Sequence, residues 1–119
     1  MKHYLDNIEQ KTVHNENYRE VLYTGPKMQL VVMAIPVGEE IGEEVHADHD
    51  QFLRVESGRG KAILDGTPYD LAEDDALIVP AGMRHNIVNV SGDGPLKLYT
   101  IYAPPEHAPG TLHPRKEDE

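Results

Sequence analysis

Short apolar segments, each ended by a turn signal before a helix could form, fill the sequence from Tyr18 to Ala103. Glycine, proline and aspartate supply those signals. They fall at GPK (25–27), SGRG (57–60), DG (65–66), AEDD (72–75), PAG (80–82) and SGDGP (91–95). No segment keeps a 3.6-residue apolar period for the roughly 10–12 residues that would indicate a helix. Many short strands at regular spacing are typical of a β-sandwich or a β-barrel.

The segments between these turns predict nine strands, and Asp65-Gly66 suits the type I′ turn of a hairpin. The first 17 residues are polar and weakly patterned, so they predict no more than a helical turn. The predicted strands are Tyr18–Tyr23, Gln29–Pro36, Glu40–His46, Gln51–Glu56, Gly60–Leu64, Tyr69–Leu71, Ala76–Val79, His85–Val90 and Leu96–Ala103.

The tail, about residues 104–119, has a different composition and contains four of the nine prolines. Proline cannot donate to a strand ladder, so the tail is predicted to be extended and to stay out of any central strand. Its last six residues, PRKEDE, are expected to be solvated and frayed. His107 and His113 are expected to face water or to pack on the barrel surface.

Length and charge limit the possible functions. The 119 residues fit a single domain, 1–119. The net charge of -10 argues against binding to nucleic acid or to an anionic membrane, because both depend on Lys and Arg. There is no cysteine, no apolar signal sequence and no apolar run near the roughly 20 residues that span a membrane. We expect a soluble, cytoplasmic protein whose ligand is a small molecule.

The stretch EEVHADHDQ, Glu43 to Gln51, places many polar groups at the start of a strand. Side chains alternate faces along a strand, so Glu44 and His46 point the same way, and Gln51 points inward with Leu53. A buried carboxylate without a partner costs several kcal/mol. A metal ion with imidazole and oxygen ligands would satisfy all three groups at once.

A second cluster lies in IVPAGMRHNIVN, where His85 opens a strand and shares a face with Ile87. A lone inward histidine is more often a structural residue than a ligand. The convergence with Glu44, His46 and Gln51 favours a ligand role for His85.

The two clusters resemble the two motifs of the cupin superfamily, in the right order and with the right spacing. The first family motif is Gly, five residues, His-x-His, four residues, Glu, six residues, Gly; here these positions are Gly38, Glu44-Val45-His46, Gln51 and Gly58. The second is Gly, five residues, Pro-x-Gly, two residues, His, three residues, Asn; here they are Asp74, Pro80-Ala81-Gly82, His85 and Asn89. The motifs cover about residues 38–89. The resemblance implies a double-stranded β-helix, or jelly-roll barrel, of the small single-domain type sometimes labelled mannose-6-phosphate isomerase-like.

Carried over by position, the resemblance implies a metal held by Glu44, His46, Gln51 and His85, where cupins usually have three histidines and a glutamate. The His-to-Glu change adds one negative charge and the Glu-to-Gln change removes one, so the set still holds one carboxylate. Nitrogen and oxygen ligands of this kind suit Mn, Fe, Ni or Zn better than copper(I). Four protein ligands leave up to two positions open on an octahedral metal.

Neighbouring polar residues are given supporting roles. His49 is expected at the rim of the site and Asp48 in a polar turn, although either could orient or touch a ligand. Asn89 is expected to support the backbone, and Arg84 is the best candidate for a cation at the mouth. Tyr99 and Tyr102 have opposite parity, so only one can line the interior.

The sequence is compatible with three functions. The first is a metal-dependent enzyme acting on a small sugar-like, carbonyl or enol compound, as an isomerase or an iron-dependent dioxygenase. The second is a non-catalytic module that binds a small molecule or a metal. The third is a structural barrel with no ligand. The resemblance also implies a homodimer, and the strand-forming segment MQLVVMAIP is a candidate for its interface.

Overall fold

The computed structural model describes residues 2–119, with strands as the main regular element. Within these residues there is one α-helix, α1 (Ile8–His14), which begins after Asn7, whose side chain accepts a hydrogen bond from the backbone amide of Gln10. No helix in this described range is long and apolar enough to cross a membrane. The strands are β1 (Arg19–Thr24), β2 (Gln29–Ile35), β3 (Asp50–Ser57), β4 (Gly60–Leu64), β5 (Thr67–Leu71), β6 (Ala76–Val79), β7 (His85–Val88), β8 (Leu96–Ala103) and β9 (Leu112–His113).

The strands form two antiparallel sheets. The larger has the order β6-β3-β8-β2-β1-β9 and the smaller has the order β5-β4-β7. The central strand β8 pairs with β2 on one side and with β3 on the other, although both are far from it in sequence. Long-range antiparallel pairing between two facing sheets gives a jelly-roll barrel. The predicted all-β class and jelly-roll architecture are confirmed.

The core lies between the two sheets because each sheet turns one apolar face inward. Along β8, Leu96 and Leu98 are fully buried, and Thr100 and Tyr102 continue the same buried face toward the far end of the strand. Burying each large apolar side chain contributes roughly 1.5–3 kcal/mol. The core cluster joins Leu53, Val55 and Leu98 of the larger sheet to Ala62, Leu71 and Ile87 of the smaller one.

The predicted strand Glu40–His46 is wrong. Gly38 and Gly42 have φ angles of +79° and +109°, which interrupt an extended conformation on both sides of Glu40. The segment instead runs beside β7 and touches it through isolated bridges, Glu40 to Val88 and Glu44 to His85. It therefore lies at the position of a sheet edge but remains a loop. The other predicted strands are present with small shifts at their ends.

The tail folds back on the barrel, so the expectation of a frayed end is wrong, although most of the last six residues are solvent-exposed as expected. Strand β9 pairs with β1 at the edge of the larger sheet, which agrees with its exclusion from the sheet centre. A short 3₁₀ helix (Lys116–Asp118) follows, and Lys116 Nζ donates to the Glu40 carbonyl at 2.7 Å. Arg19 Nη1 donates to Glu119 Oε2 at 2.6 Å. These contacts join the end of the tail to residues that are far away in the sequence, and the composition of the tail does not reveal them.

Candidate metal centre

Three segments bring the expected ligands to one end of the barrel interior. Glu44 and His46 come from the loop before β3, Gln51 lies near the start of β3, and His85 begins β7. The backbones of Glu44 and His85 hydrogen-bond in both directions, at 2.8 and 2.9 Å. The two residues are therefore adjacent because of the main chain, before any contact between their side chains.

The available ligand atoms of Glu44, His46 and His85 all lie within 4.8 Å of one another. His46 Nε2 is 3.7 Å from Glu44 Oε1, and the two imidazole centroids are 5.2 Å apart. Two atoms that each lie about 2.0–2.2 Å from one metal ion are at most about 4.4 Å apart. The observed spacing therefore fits one shared cation after a small inward adjustment.

The cluster is buried on the histidine side and open on the glutamate side. His85 is 4% exposed and the His46 side chain 9% exposed, whereas the Glu44 side chain is 36% exposed. Among these three residues, only Glu44 therefore has a large solvent-exposed fraction. A ligand would reach the cluster past this carboxylate.

A backbone carbonyl fixes the orientation of the His85 ring. Nδ1 lies 2.9 Å from the Met83 carbonyl, which can only accept, so Nδ1 carries the proton. The other nitrogen, Nε2, then has a free lone pair. Nε2 is buried and has no hydrogen-bond partner within residues 2–119. This is the arrangement in which a neutral histidine binds a metal.

A carboxylate of the tail lies beside the outer nitrogen of His46. Its Nδ1 lies 3.5 Å from Glu106 Oε2, and its Nε2 is a second buried nitrogen with no hydrogen-bond partner in the described part of the chain. A carboxylate behind the outer nitrogen of a ligating histidine makes the imidazole more basic and fixes its direction. Both histidines therefore offer Nε2 to the same space.

Gln51 presents a third acceptor atom without a partner. It is 4% exposed, and its Nε2 donates to Thr100 Oγ1 at 3.0 Å. Its Oε1 is buried and has no hydrogen-bond partner among the described residues. Gln51 is paired in register with Tyr102, whose ring centroid lies 5.8 Å from that of His46. Leaving three such acceptors unpaired costs about 1–3 kcal/mol each, which a bound cation would offset.

The Cupin domain family matches residues 31–102, which include both motifs and all four expected ligands. The chain belongs to the cupin family.

Two relatives and one solved structure are similar to this cupin over nearly its whole length. YrkC of Bacillus subtilis strain 168 is 43% identical over 123 residues, covering 98% of this chain but 66% of YrkC, just under two thirds. L612 of Acanthamoeba polyphaga mimivirus is 40% identical over 116 residues, covering 95% of this chain and 72% of L612. The crystal structure of BH2720 from Bacillus halodurans superposes with a TM-score of 0.94 at 43% identity, covering 98% of this chain and 92% of that one.

Of the two tyrosines on β8, Tyr102 is the one that lines the interior of this cupin. It is 2% exposed, whereas Tyr99 lies on the outer face with its ring centroid 6.1 Å from that of Phe52. Burial, and then the charge of Glu44, raises the pKa of Tyr102 well above its usual value. Its phenol therefore stays protonated at neutral pH and is a hydrogen-bond donor beside His46.

The polar neighbours lie mostly at the rim. The His49 Nδ1 is 2.6 Å from the Pro104 carbonyl and its Nε2 is 3.0 Å from Glu106 Oε2, outside the three-residue cluster. Asp48 is exposed and lies in the turn before β3. Arg84 is also exposed and pairs with Glu43 at 3.1 Å.

Asn89 has the backbone role that the sequence predicted. Its Nδ2 donates to the Ile35 and Gly94 carbonyls, both at 2.9 Å, and its Oδ1 accepts from the backbone and hydroxyl of Ser91. It is completely buried and fixes the loop between β7 and β8.

Glu106, which is exposed, and His107, which is half-buried, are residues near the site that the sequence did not predict. Buried Gln29 holds this part of the tail: its Oε1 accepts from both backbone amides, at 3.1 and 2.9 Å, and its Nε2 donates to the His107 carbonyl at 2.7 Å. The His107 ring centroid lies 5.3 Å from that of Tyr102, and its Nε2 is buried. A Glu-His pair between prolines is equally typical of a solvated linker, so the sequence carried little signal.

Proposed function

We propose that Glu44, His46, Gln51 and His85 bind one divalent transition-metal ion and that this cupin uses it to bind and transform a small carbonyl or enol compound. The observation that carries the proposal is that two buried nitrogens without hydrogen-bond partners in the described residues, His46 Nε2 and His85 Nε2, lie beside the Glu44 carboxylate, and the buried Gln51 Oε1 is a further acceptor without a partner. Each is a normal metal ligand, and each is costly to bury alone.

The donor set indicates the class of metal. Two imidazoles, one carboxylate and one amide oxygen suit Mn, Fe, Ni or Zn. The His46 and His85 side chains already have their second nitrogens directed at a carboxylate and a carbonyl, so the ligating atoms need little reorganisation. When bound, the ion would act as a Lewis acid on a ligand oxygen.

The protein's own groups then define how a ligand is held. Glu44 is the most exposed of the cluster and marks the entrance. Tyr102 remains protonated and can donate a hydrogen bond to a ligand oxygen beside His46. The Glu106 and His107 backbone amides are hydrogen-bonded to Gln29, so this part of the tail is held beside the site.

A second candidate is a non-catalytic cupin that binds a small molecule without converting it. One observation favours it. Burial lowers the pKa of His107 to about 4 and raises that of Tyr102, so neither is matched to proton transfer near neutral pH.

The first test is metal content. Protein purified without a His-tag is analysed by inductively coupled plasma mass spectrometry after incubation with Mn, Fe, Ni or Zn salts and gel filtration. We expect close to one ion per chain in the wild type and little in His85→Ala or His46→Ala. The matched control is His14→Ala, because His14 is an exposed histidine at the end of α1. Equal metal content in wild type and His85→Ala would reject the site.

The second test separates catalysis from binding. Metal-loaded protein is screened by thermal shift with sugars, sugar phosphates and diketones, and by oxygen uptake with diketones and catechols. A Tm increase with no product or oxygen consumption indicates the binding module. Turnover that depends on His85 indicates the enzyme.

We also propose a homodimer, but through a different surface from the segment that the sequence indicated. The segment MQLVVMAIP forms β2, which is hydrogen-bonded to strands on both sides and cannot add another. Edge strand β6 carries Ile78, which is 68% exposed beside Phe52. An exposed apolar edge of this kind favours pairing with a second copy. Light scattering should give a dimer mass for the wild type and a monomer for Ile78→Lys.

A further inference from the structure

A second polar group extends the barrel interior beyond the metal centre. We call Tyr18, Arg19, His107 and His113 the Arg19 cluster. Tyr18 is 1% exposed and Arg19 is 3% exposed. Four of its atoms are buried and have no hydrogen-bond partner in the described range of the chain: Tyr18 Oη, Arg19 Nε, His107 Nε2 and His113 Nδ1. Native proteins leave few buried polar atoms unpaired, so these four atoms together mark a polar site whose partners are water or a bound ligand.

The Arg19 cluster is continuous with the metal centre. Arg19 and His113 are opposite each other on the paired strands β1 and β9, and the Arg19 guanidinium carbon lies 5.2 Å from the centre of the Tyr18 ring. Tyr102 connects the two sites, because its ring centroid lies 5.3 Å from that of His107 and 5.8 Å from that of His46. One small molecule could therefore reach both.

The charge of the cluster fits a carboxylate. Arg19 brings the positive charge, and its present partner is a carboxylate, Glu119, bound to Nη1 at 2.6 Å. This contact leaves Nε without a partner, although a guanidinium can bind one carboxylate through two parallel hydrogen bonds. The Glu119 side chain is 37% exposed whereas Arg19 is 3% exposed, so the ion pair joins a buried guanidinium to a carboxylate at the surface.

The surroundings favour a single negative charge over a phosphate dianion. Burial, and then the charge of Glu119, raises the pKa of Tyr18 to about 12, and burial lowers the pKa of His107 to about 4. Both side chains are therefore uncharged at neutral pH. Glu44 and Glu106 lie near Tyr102, so a second negative charge on the same group, as in a phosphate dianion, would be repelled, whereas a separate acidic group could reach the metal.

We infer that Arg19 binds a carboxylate of the substrate, which takes the place of the Glu119 side chain. The inference rests on the proposed metal-dependent function and narrows the class of substrate that this function would use. The substrate is a small carboxylic acid whose other end carries the carbonyl, enol or carboxylate oxygen that faces Glu44, His46 and His85. Tyr18 and His113 supply the remaining hydrogen bonds to the carboxylate.

The test uses malonate and succinate as probes, with their diamides as uncharged controls. Calorimetry on metal-loaded protein should detect the dicarboxylates and not the diamides. Glu119→Gln should bind them about tenfold more tightly, because the internal competitor has lost its charge, and Arg19→Lys about tenfold more weakly, because two parallel hydrogen bonds are lost. Metal content, measured on the same samples, should be unchanged in both variants.

A parallel titration on metal-free protein separates this inference from the proposed function. Acetate is added to ¹⁵N-labelled protein, and the NMR signal of the Arg19 Nε–H is followed. A shift that is larger in Glu119→Gln supports the subsite even if no metal binds. If Glu119→Gln lowers Tm and leaves the affinity for every carboxylate unchanged, the Arg19–Glu119 pair only anchors the tail and the inference is wrong. Unchanged dicarboxylate affinity in Arg19→Lys with normal metal content would overturn it as well.

Discussion

Thr100 determines which end of the buried Gln51 amide is left without a hydrogen-bond partner in the part of the chain that the structure describes. The Thr100 hydroxyl donates its hydrogen to the Phe52 carbonyl at 2.9 Å, so toward Gln51 its oxygen can only accept. The Gln51 group that lies 3.0 Å from this oxygen must therefore be the NH₂. The amide oxygen is left on the other side, buried and without a partner among residues 2–119. The Thr100 hydroxyl thus fixes the orientation of the Gln51 amide, so that its oxygen and not its NH₂ is available as a metal ligand.

Replacing Thr100 tests this orientation. Thr100→Val keeps the shape but removes the acceptor, so the amide is free to flip and to leave its NH₂ facing the cation. We expect metal affinity to fall by about tenfold, comparable to the loss of other groups that orient a ligand. Affinity is measured by competition with a fluorescent chelator. The control is Thr67→Val, an exposed threonine on β5, and an equal loss in both variants would contradict the prediction.

The Glu106 carboxylate should strengthen metal binding through His46. Glu106→Gln keeps the size of the side chain but removes the charge 3.5 Å from His46 Nδ1, so the imidazole becomes a weaker ligand. The expected loss of metal affinity is about 10–100-fold. The matched control is Glu43→Gln, which removes the same charge from an exposed pair with Arg84. If both variants lose affinity equally, the effect is one of net charge and not of orientation.

The site residues on the strands followed from the sequence, whereas those of the tail did not. Alternation along a strand correctly turned Gln51 and His85 inward, because the period of two is fixed by backbone geometry. The same rule placed Glu44 and His46 on one side, although their segment is a loop held to β7 only by bridges. Glu106 reaches His46 through a fold-back anchored by Gln29, and no local pattern encodes a contact of that range.

A third prediction concerns the hydrogen bonds between Gln29 and the backbone of the tail. Gln29→Leu is similar in size but removes the hydrogen bonds to the Glu106 and His107 backbones, leaving two amides without an acceptor. A cost of about 1–3 kcal/mol per orphaned group should loosen residues 104–110 more than the barrel itself. Hydrogen exchange should show faster exchange there, and metal affinity should fall as in Glu106→Gln. Gln10→Leu on the exposed side of α1 is the control, and unchanged exchange in Gln29→Leu would show that the tail is held by other contacts.

His107 should make metal-free protein less stable as the pH falls. Burial, followed by the charges of Arg19 and His46, lowers the pKa of His107 from 6.5 to about 4 in the folded chain. Between these two values the unfolded chain binds more protons than the folded chain, so the free energy of unfolding rises with pH in that window. The stability is fully present above pH 6.5 and is lost as the pH falls through about 4.

The loss amounts to roughly 3 kcal/mol at most, since the pKa falls from 6.5 to about 4 and one pKa unit corresponds to about 1.4 kcal/mol. Urea unfolding of the chelator-treated protein at pH 4.5, 5.5 and 7 measures it. His107→Gln removes the titrating group, so its stability should depend less steeply on pH than that of the wild type. Both proteins have the same carboxylates, so the contribution of carboxylate titration is the same in both pH profiles and drops out when one is subtracted from the other. Parallel pH profiles for the two proteins would mean that the imidazole is solvated in the folded state and does not occupy the interior beside Tyr102.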